Sequence, residues 1–115
     1  MNRTIKFRAW DIENKIMVDW KDIRLMPLYS FEKKDNEGNP RDYILMQFTG
    51  LHDKNGKEIY EGDIVKDAWI GIIIWEEDGW FIDPIPTNRF IQRLSSGNDL
   101  VEVIGNIYQN KDLIN

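Results

Sequence analysis

The stretch from Thr49 to Lys66 most constrains the fold, because its glycines dictate where the backbone must turn. Asn55-Gly56 is the residue pair typical of a two-residue hairpin turn of type I′, in which both central residues take positive φ. The segment from Tyr60 to Asp63 then forms a second turn, which leads into a β-branched strand that begins at Ile64. The stretch therefore predicts a β-hairpin followed by a new strand, as in small antiparallel barrels.

Alternation of apolar and polar residues dominates the rest of the chain, and a period of two is typical of half-buried strands. A first strand carries Ile5, Phe7 and Ala9 on one face, and Asn14-Lys15 marks a turn into a second strand from Ile16 to Trp20. Further strands are predicted at Asp42 to Phe48, Ile64 to Lys66, Ile70 to Trp75, and Leu100 to Tyr108. The pattern predicts a mainly β protein whose antiparallel or mixed sheet curls toward a small barrel.

One short helix is predicted, from Asn88 to Ser95, with Thr87 as its N-cap. Its apolar side would carry Phe90, Ile91 and Leu94. Because two turns of helix are stable only through packing, we expect this side to be packed against the sheet. Between Asp22 and Pro40 the conformation is left open: Pro27 disfavours a helix through Ile23 to Tyr29, and Lys33 to Pro40 is typical of a charged loop.

A hairpin from Ile70 to Ile82 carries apolar residues on both of its faces. Whether the loop at Glu77-Asp78-Gly79 has two residues or four, the same side chains share a face, because both choices preserve parity. One face carries Ile73, Trp75, Trp80 and Ile82, and the other carries Ile72, Ile74 and Phe81. Such a hairpin must be buried on both sides, either within the domain or by another subunit. Because aromatic residues are enriched where subunits meet, we predict a homo-oligomer interface at the first face.

Three blocks of the chain resemble the YopX family of phage and prophage proteins. They are Ile5 to Asp11, Thr49 to Lys66, and Glu102 to Asn110. The resemblance implies a mainly β protein that is encoded by a phage or prophage, is expressed in a bacterial cytoplasm and needs no cofactor. The resemblance implies no catalytic residue in this chain, because the family has no established biochemical activity.

Charge is unevenly distributed along the chain. Residues 1–57 carry 11 Lys and Arg and 9 Asp and Glu, a balance of +2, whereas residues 58–115 carry 4 and 11, a balance of −7. Nucleic-acid binding needs clustered positive charge, so we do not expect the acidic half to bind DNA. If the chain did bind a nucleic acid, Arg3, Lys6 and Arg8 would follow the backbone and exposed aromatic side chains such as Trp10 would stack on bases.

Size and composition limit the remaining possibilities. A chain of 115 residues is expected to form one domain, residues 1–115, with a core of its own. The absence of cysteine excludes disulfides and thiolate metal sites and fits a reducing cytoplasm. The longest apolar run, Ile72 to Trp75, is far too short to span a membrane. We therefore expect a soluble protein in the bacterial cytoplasm, with no membrane partner.

The sequence predicts no catalytic, metal-binding or cofactor-binding residue. His52 stands beside Asp53, which could orient it, but no nucleophile accompanies it. The segment from Asp53 to Gly56 differs from a calcium loop, in which the glycine belongs at position 6. Four carboxylates near the loop at Glu77-Asp78-Gly79 could supply a general acid and a general base, but nothing in the sequence indicates that their pKa values differ. They are Glu76, Glu77, Asp78 and Asp83.

These observations predict a non-enzymatic phage or prophage accessory protein that acts by binding. We expect a homo-oligomer that presents its acidic half to a basic host or phage protein. The alternative is a single-stranded nucleic-acid-binding protein, whose affinity would fall steeply with salt, whereas assembly by apolar burial would not weaken. A hydrolase that uses carboxylates near the hairpin tip is a third hypothesis.

Overall fold

The computed structural model describes residues 4–85 and 90–114 of the chain. It contains two antiparallel sheets, one of them curled into a half-barrel, and very little helix. The mainly β fold predicted from the sequence is therefore confirmed. The chain forms two compact units, which we call the N-terminal unit, Thr4–Gln47, and the C-terminal unit, Phe48–Asn115. That residues 1–115 act as one domain stays a prediction.

The strands in chain order are β1 (Phe7–Asp11), β2 (Ile16–Val18), β3 (Tyr43–His52), β4 (Glu58–Tyr60), β5 (Asp63–Lys66), β6 (Ile70–Glu76), β7 (Gly79–Ile85), β8 (Gln92–Arg93) and β9 (Glu102–Asn106). The helix α1 spans Trp20–Ile23, and short 3-10 helices occupy Leu28–Phe31, Leu94–Ser96, Asn98–Leu100 and Lys111–Leu113. The strand order is β2-β1-β3-β4 in one sheet and β8-β7-β6-β5-β9 in the other.

In the N-terminal unit, β1 pairs with β2 on one side and with the first half of β3 on the other. Asp11 holds the turn after β1, because its carboxylate accepts the backbone N–H of Asn14 at 3.0 Å and the side-chain N–H of Asn14 at 2.9 Å. The predicted turn at Asn14-Lys15 is confirmed, with Lys15 at φ 57°. The next strand ends at Val18 and not at Trp20, because Trp20 begins α1.

The C-terminal unit has an apolar core of its own. Its buried members are Ile59, Val65, Ile73, Ile82, Leu94, Val101 and Val103, with Leu51 and Trp80 packed against them. Burying an aliphatic side chain of this size contributes about 1.5 to 3 kcal/mol relative to leaving it exposed. This cluster is therefore a major source of the unit's stability.

The hairpin predicted around Asn55-Gly56 is confirmed, since β3 and β4 pair antiparallel with His52 opposite Glu58. The predicted turn type is wrong, because Gly56 has φ +84° but Asn55 does not have positive φ. The Gly56 N–H donates to the carbonyl of Asp53 at 3.0 Å. This hydrogen-bonded turn from Asp53 to Gly56, with positive φ at the glycine, is typical of a three-residue hairpin loop.

The side chains of the β6–β7 hairpin lie on the faces that the sequence predicts. Trp75 pairs with Trp80, and Ile73 pairs with Ile82, so these four residues share one face. The loop is the shorter of the two alternatives, because Glu76 pairs directly with Gly79. On the other face, three side chains are half-buried, namely Ile72, Ile74 and Phe81.

The helix predicted from Asn88 to Ser95 is wrong over the residues that the structure describes, and Thr87 and Asn88 lie outside them. Gln92 and Arg93 form β8 and pair with β7, and Leu94 begins a 3-10 helix. So short a segment gains little from helical propensity, whereas pairing with β7 satisfies its backbone groups. As a result Leu94 lies in the core, while Phe90 and Ile91 are exposed.

The last predicted strand is confirmed in its middle part, as β9. Its final residue, Asn106, accepts the backbone N–H groups of Tyr108 and Gln109 at 3.0 and 2.9 Å. Asn110 directly precedes the 3-10 helix Lys111–Leu113, but its side chain does not cap that helix. It accepts the backbone N–H of Asn106 at 3.0 Å instead.

Candidate protein-interaction site

The four residues predicted to form a subunit interface differ in their burial. Ile73 and Ile82 lie in the core of the C-terminal unit and offer no surface to a partner. Trp80 is half-buried against that core, and its ring meets the ring of Trp75 edge-on, with 4.9 Å between centroids. Trp75 remains 51% exposed. Of the four residues predicted at the interface, Trp75 is therefore the one with a largely exposed side chain, and its ring packs against Trp80.

The loop beside Trp75 is strongly acidic. Glu76, Glu77 and Asp78 are all exposed, and Glu77 takes φ 35° in the tight turn. Arg93 of β8 approaches Asp78 at 3.6 Å and lies over the ring of Phe81 at 4.7 Å. An exposed ion pair of this kind contributes at most about 1 kcal/mol. The tip thus combines an apolar surface at Trp75 with a negative rim.

A second apolar surface, which we call the Trp69 cleft, lies at the opposite end of the β6–β7 hairpin. Its rim is formed by Trp69, Phe90 and Leu100, which are 50%, 96% and 57% exposed. Its walls and floor include Val65, Ile70, Gly71, Ile82, Pro84 and Val101. The cleft has a volume of about 200 Å³. Its lining shows that residues from three separate parts of the C-terminal unit meet here.

Sequence reasoning missed the Trp69 cleft. The sequence predicts Phe90 on the packed side of a helix and Leu100 in a strand. The exposure of Phe90 follows from the pairing of β8 with β7, which no local pattern specified. A usable signal was the presence of two bulky residues, Trp69 and Phe90, next to the ends of β6 and β8 and outside any alternating run.

The residues considered for nucleic-acid binding lie in or just before β1. Arg3 lies outside the described residues. Lys6, Arg8 and Trp10 are half-buried. Since side chains alternate along a strand, Arg8 and Trp10 share the face opposite buried Ala9. The structure therefore places one cation and one aromatic ring together on this strand.

Asp53 is a buried carboxylate to which sequence reasoning gave no structural role. Its Oδ1 accepts the backbone N–H groups of Asn55 and Lys57 at 2.9 Å each, and its Oδ2 accepts the N–H of Val103 at 2.9 Å. Burial alone would raise the pKa of Asp53, but these three donors and the charge of Lys57 lower it overall. An aspartate two residues before Asn55-Gly56 is the usual signal for such a turn.

Asp63 has a similar role in the turn that begins β5. Its side chain is buried, and its Oδ2 accepts the backbone N–H of Tyr60 at 2.7 Å. Gly62 takes φ +85° in the same turn, and its N–H donates to the carbonyl of Ile73 at 2.9 Å. The turn predicted between Tyr60 and Asp63 is therefore confirmed, and the Asp63 carboxylate stabilises it by accepting a backbone hydrogen bond.

The single histidine lies on the surface. The His52 ring contacts the Phe48 ring edge-on, with 5.7 Å between centroids, and the backbone carbonyl of His52 accepts the side chain of Asn98 at 2.8 Å. Among residues 4–85 and 90–114, no three His, Cys, Asp or Glu side chains are grouped as a metal site would require. No helix in the described part of the chain is long and apolar enough to cross a membrane.

Comparisons with known proteins agree with the fold. The family model described as YopX protein matches residues 6–115 of this chain. The crystal structure of protein EF1440 from Enterococcus faecalis is similar to this chain, with a TM-score of 0.65 and 27% sequence identity, over 99% of this chain and 100% of that chain. A search of curated proteins finds no match.

Proposed function

Since this chain belongs to the YopX family, we propose that it is a phage or prophage accessory protein that binds other proteins in the bacterial cytoplasm and has no enzymatic activity. The observation that carries this proposal is a set of large exposed apolar side chains on the C-terminal unit, which also has a buried core of its own. They are Trp69, Trp75, Phe90, Ile91 and Leu100. Exposed apolar side chains that group together commonly mark a site of protein interaction.

We assign self-association to the hairpin tip around Trp75. The ring of Trp75 already rests on Trp80, so little side-chain freedom is lost when a partner covers it. The negative rim formed by Glu76, Glu77 and Asp78 would repel a second copy of the same tip. A symmetric contact between two tips is therefore disfavoured.

The N-terminal unit is the better counterpart for this tip. Residues 4–47 carry 8 Lys and Arg and 8 Asp and Glu, so the unit has no net charge to repel the tip. It also exposes large apolar side chains at Leu25, Leu28 and Tyr29. The tip of one copy therefore contacts the N-terminal unit of the next copy, which makes the association head-to-tail.

Sedimentation velocity at tens of micromolar in moderate salt tests this assignment. We expect the wild type to be oligomeric and Trp75→Ala to be monomeric. Trp69→Ala is the matched control, because it removes the same side chain from an equally exposed position elsewhere on the unit. A monomeric wild type, or equal dissociation by both variants, would overturn self-association through the tip.

The resulting oligomer presents its acidic C-terminal unit to a basic host or phage protein. Residues 48–115 carry 6 Lys and Arg and 12 Asp and Glu, a balance of −6. Complementary charge accelerates the encounter with a basic partner and disfavours acidic ones. The charge of this unit therefore supports a basic partner.

Single-stranded nucleic-acid binding is the alternative function, and the shared face of Arg8 and Trp10 on β1 supports it. A labelled oligothymidylate, followed by fluorescence anisotropy, separates the two functions. The protein-binding function predicts no salt-sensitive binding of this probe. Tight binding that falls steeply with salt and is weakened by Arg8→Ala would favour the alternative.

A further inference from the structure

The Trp69 cleft has the size of a site for one side chain. A cavity of about 150 Å³ can hold benzene, and the Trp69 cleft measures about 200 Å³. Sites for drug-sized ligands and cofactors usually start at about 300 Å³. The cleft therefore fits a single bulky side chain better than it fits a cofactor.

Gly71 and Ile82 lie side by side in the lining of the cleft. Gly71 and Pro84 pair across β6 and β7 at the end of the face that carries Ile73 and Ile82. Any side chain at Gly71 would collide with the Cγ2 atom of Ile82. Ile82 therefore occupies the space that a side chain at Gly71 would need, and the two residues form part of the lining of the cleft.

A second copy of this chain is a poor occupant for the cleft. Pairing two copies of the cleft would bring together two C-terminal units that each have a charge balance of −6.

Charge complementarity favours a basic occupant. Asp67 is exposed and lines the cleft, and Asp99 stands next to the rim residue Leu100. Lysine or arginine residues on either side of an inserted apolar side chain would lie against this negative surface. Burial of the apolar side chain would supply the affinity, and the flanking charges would supply selectivity.

We infer that the Trp69 cleft binds a bulky apolar side chain flanked by lysines or arginines on a basic partner protein. This assignment rests on the proposed protein-binding function and specifies the chemistry of the partner. It is independent of self-association, which uses Trp75 at the other end of the hairpin.

Three short synthetic peptides test the inference. The first has a phenylalanine between two pairs of lysines, the second replaces the lysines by glutamates, and the third replaces the phenylalanine by serine. Binding is followed on ¹⁵N-labelled protein by NMR, through the backbone amide of Gly71 and the indole N–H of Trp69. We expect the first peptide to shift both signals and to bind at least tenfold more tightly than the other two.

Variants locate the site. Trp69→Ala and Asp67→Lys should each weaken binding of the first peptide at least tenfold, whereas Trp75→Ala should leave it unchanged. Equal binding of the serine peptide would show charge attraction alone and would overturn the inference, as would shifts confined to the hairpin tip or no shifts at millimolar peptide. A wild type that is monomeric yet binds the first peptide in this way would overturn self-association and leave the cleft assignment intact.

Discussion

The carboxylate of Asp53 accepts the backbone N–H of Val103 at 2.9 Å, although the two residues are 50 positions apart in the chain. Because the same carboxylate also holds the loop between β3 and β4, one side chain joins that hairpin to β9. A second contact reinforces the junction, since the N–H of Lys54 donates to the carbonyl of Val101 at 3.0 Å. Asp53 therefore links a local turn to the end of the other sheet.

Asp53→Ala should lower the free energy of unfolding by about 2 to 4 kcal/mol, because it removes the acceptor for three backbone N–H groups and leaves that of Val103 buried without a partner. Urea unfolding measures the change. Asp35→Ala is the matched control, since the Asp35 carboxylate also accepts two backbone N–H groups but in an exposed turn. The control should cost less than about 1 kcal/mol. Similar losses in both variants would mean that Asp53 does not join the hairpin to β9.

Stability should fall in acid, and Asp53 should account for part of the loss. Hydrogen bonds from the side chain and backbone of Asn14 lower the pKa of Asp11, and backbone donors outweigh burial to lower that of Asp53. A carboxylate whose pKa is lowered by folding stabilises the protein above its ordinary pKa of 3.8 and loses that effect as the pH drops below it. Urea midpoints measured from about pH 6 to about pH 3 should therefore decline less in Asp53→Asn than in the wild type. Parallel declines would contradict this.

Gly56→Val should destabilise the protein by about 1 to 3 kcal/mol, because a β-branched residue is strained at φ +84°. Asn55→Asp should be mild. Asn55→Ala should also be mild, since Asn55 does not take positive φ, whereas a type I′ turn would penalise alanine at that position. Thermal unfolding of the three variants decides between the two turn types. A strongly destabilised Asn55→Ala would restore the type I′ turn.

Gly105 and Asn110 should be energetically coupled. A Cβ atom at Gly105 would lie 2.5 Å from the Oδ1 of Asn110, the atom that accepts the N–H of Asn106. Gly105→Ala should therefore displace this side chain and cost about 1 to 2 kcal/mol in the wild type, but much less in an Asn110→Ala background. A double-mutant cycle from urea unfolding measures the coupling. Additive losses would show that Gly105 is needed for another reason.

The strands and turns were predictable because their signals are local. Asn55-Gly56 and Gly62 fixed two turns, and period-two alternation located most strands, since each pattern depends on neighbours in sequence. Parity likewise puts Trp75 and Trp80 on one face for either loop length, as the pairing of β6 with β7 confirms. These features needed no information about distant residues.

The burial of individual side chains was not predictable in the same way. Ile73 and Trp75 share one face of β6, yet Ile73 lies in the core with Leu94 and Val101, whereas Trp75, next to the tip of the hairpin, is half exposed. The helix predicted around Phe90 is wrong for a related reason, since the pairing of β8 with the edge of β7 is a tertiary contact that no local pattern specifies. The Trp69 cleft depends on both effects and was therefore missed.

The hydrogen bonds of Asp53 and Asn110 also limit how this protein can aggregate. β9 is the last strand of its sheet, and these two side chains occupy the N–H groups of Val103 and Asn106. An outer strand with free N–H groups is a template onto which a strand of another molecule can be added, and repeated addition leads to fibrils. With these donors already used, a neighbouring molecule cannot readily extend the sheet at β9. Fibril growth through strand addition at β9 is therefore disfavoured.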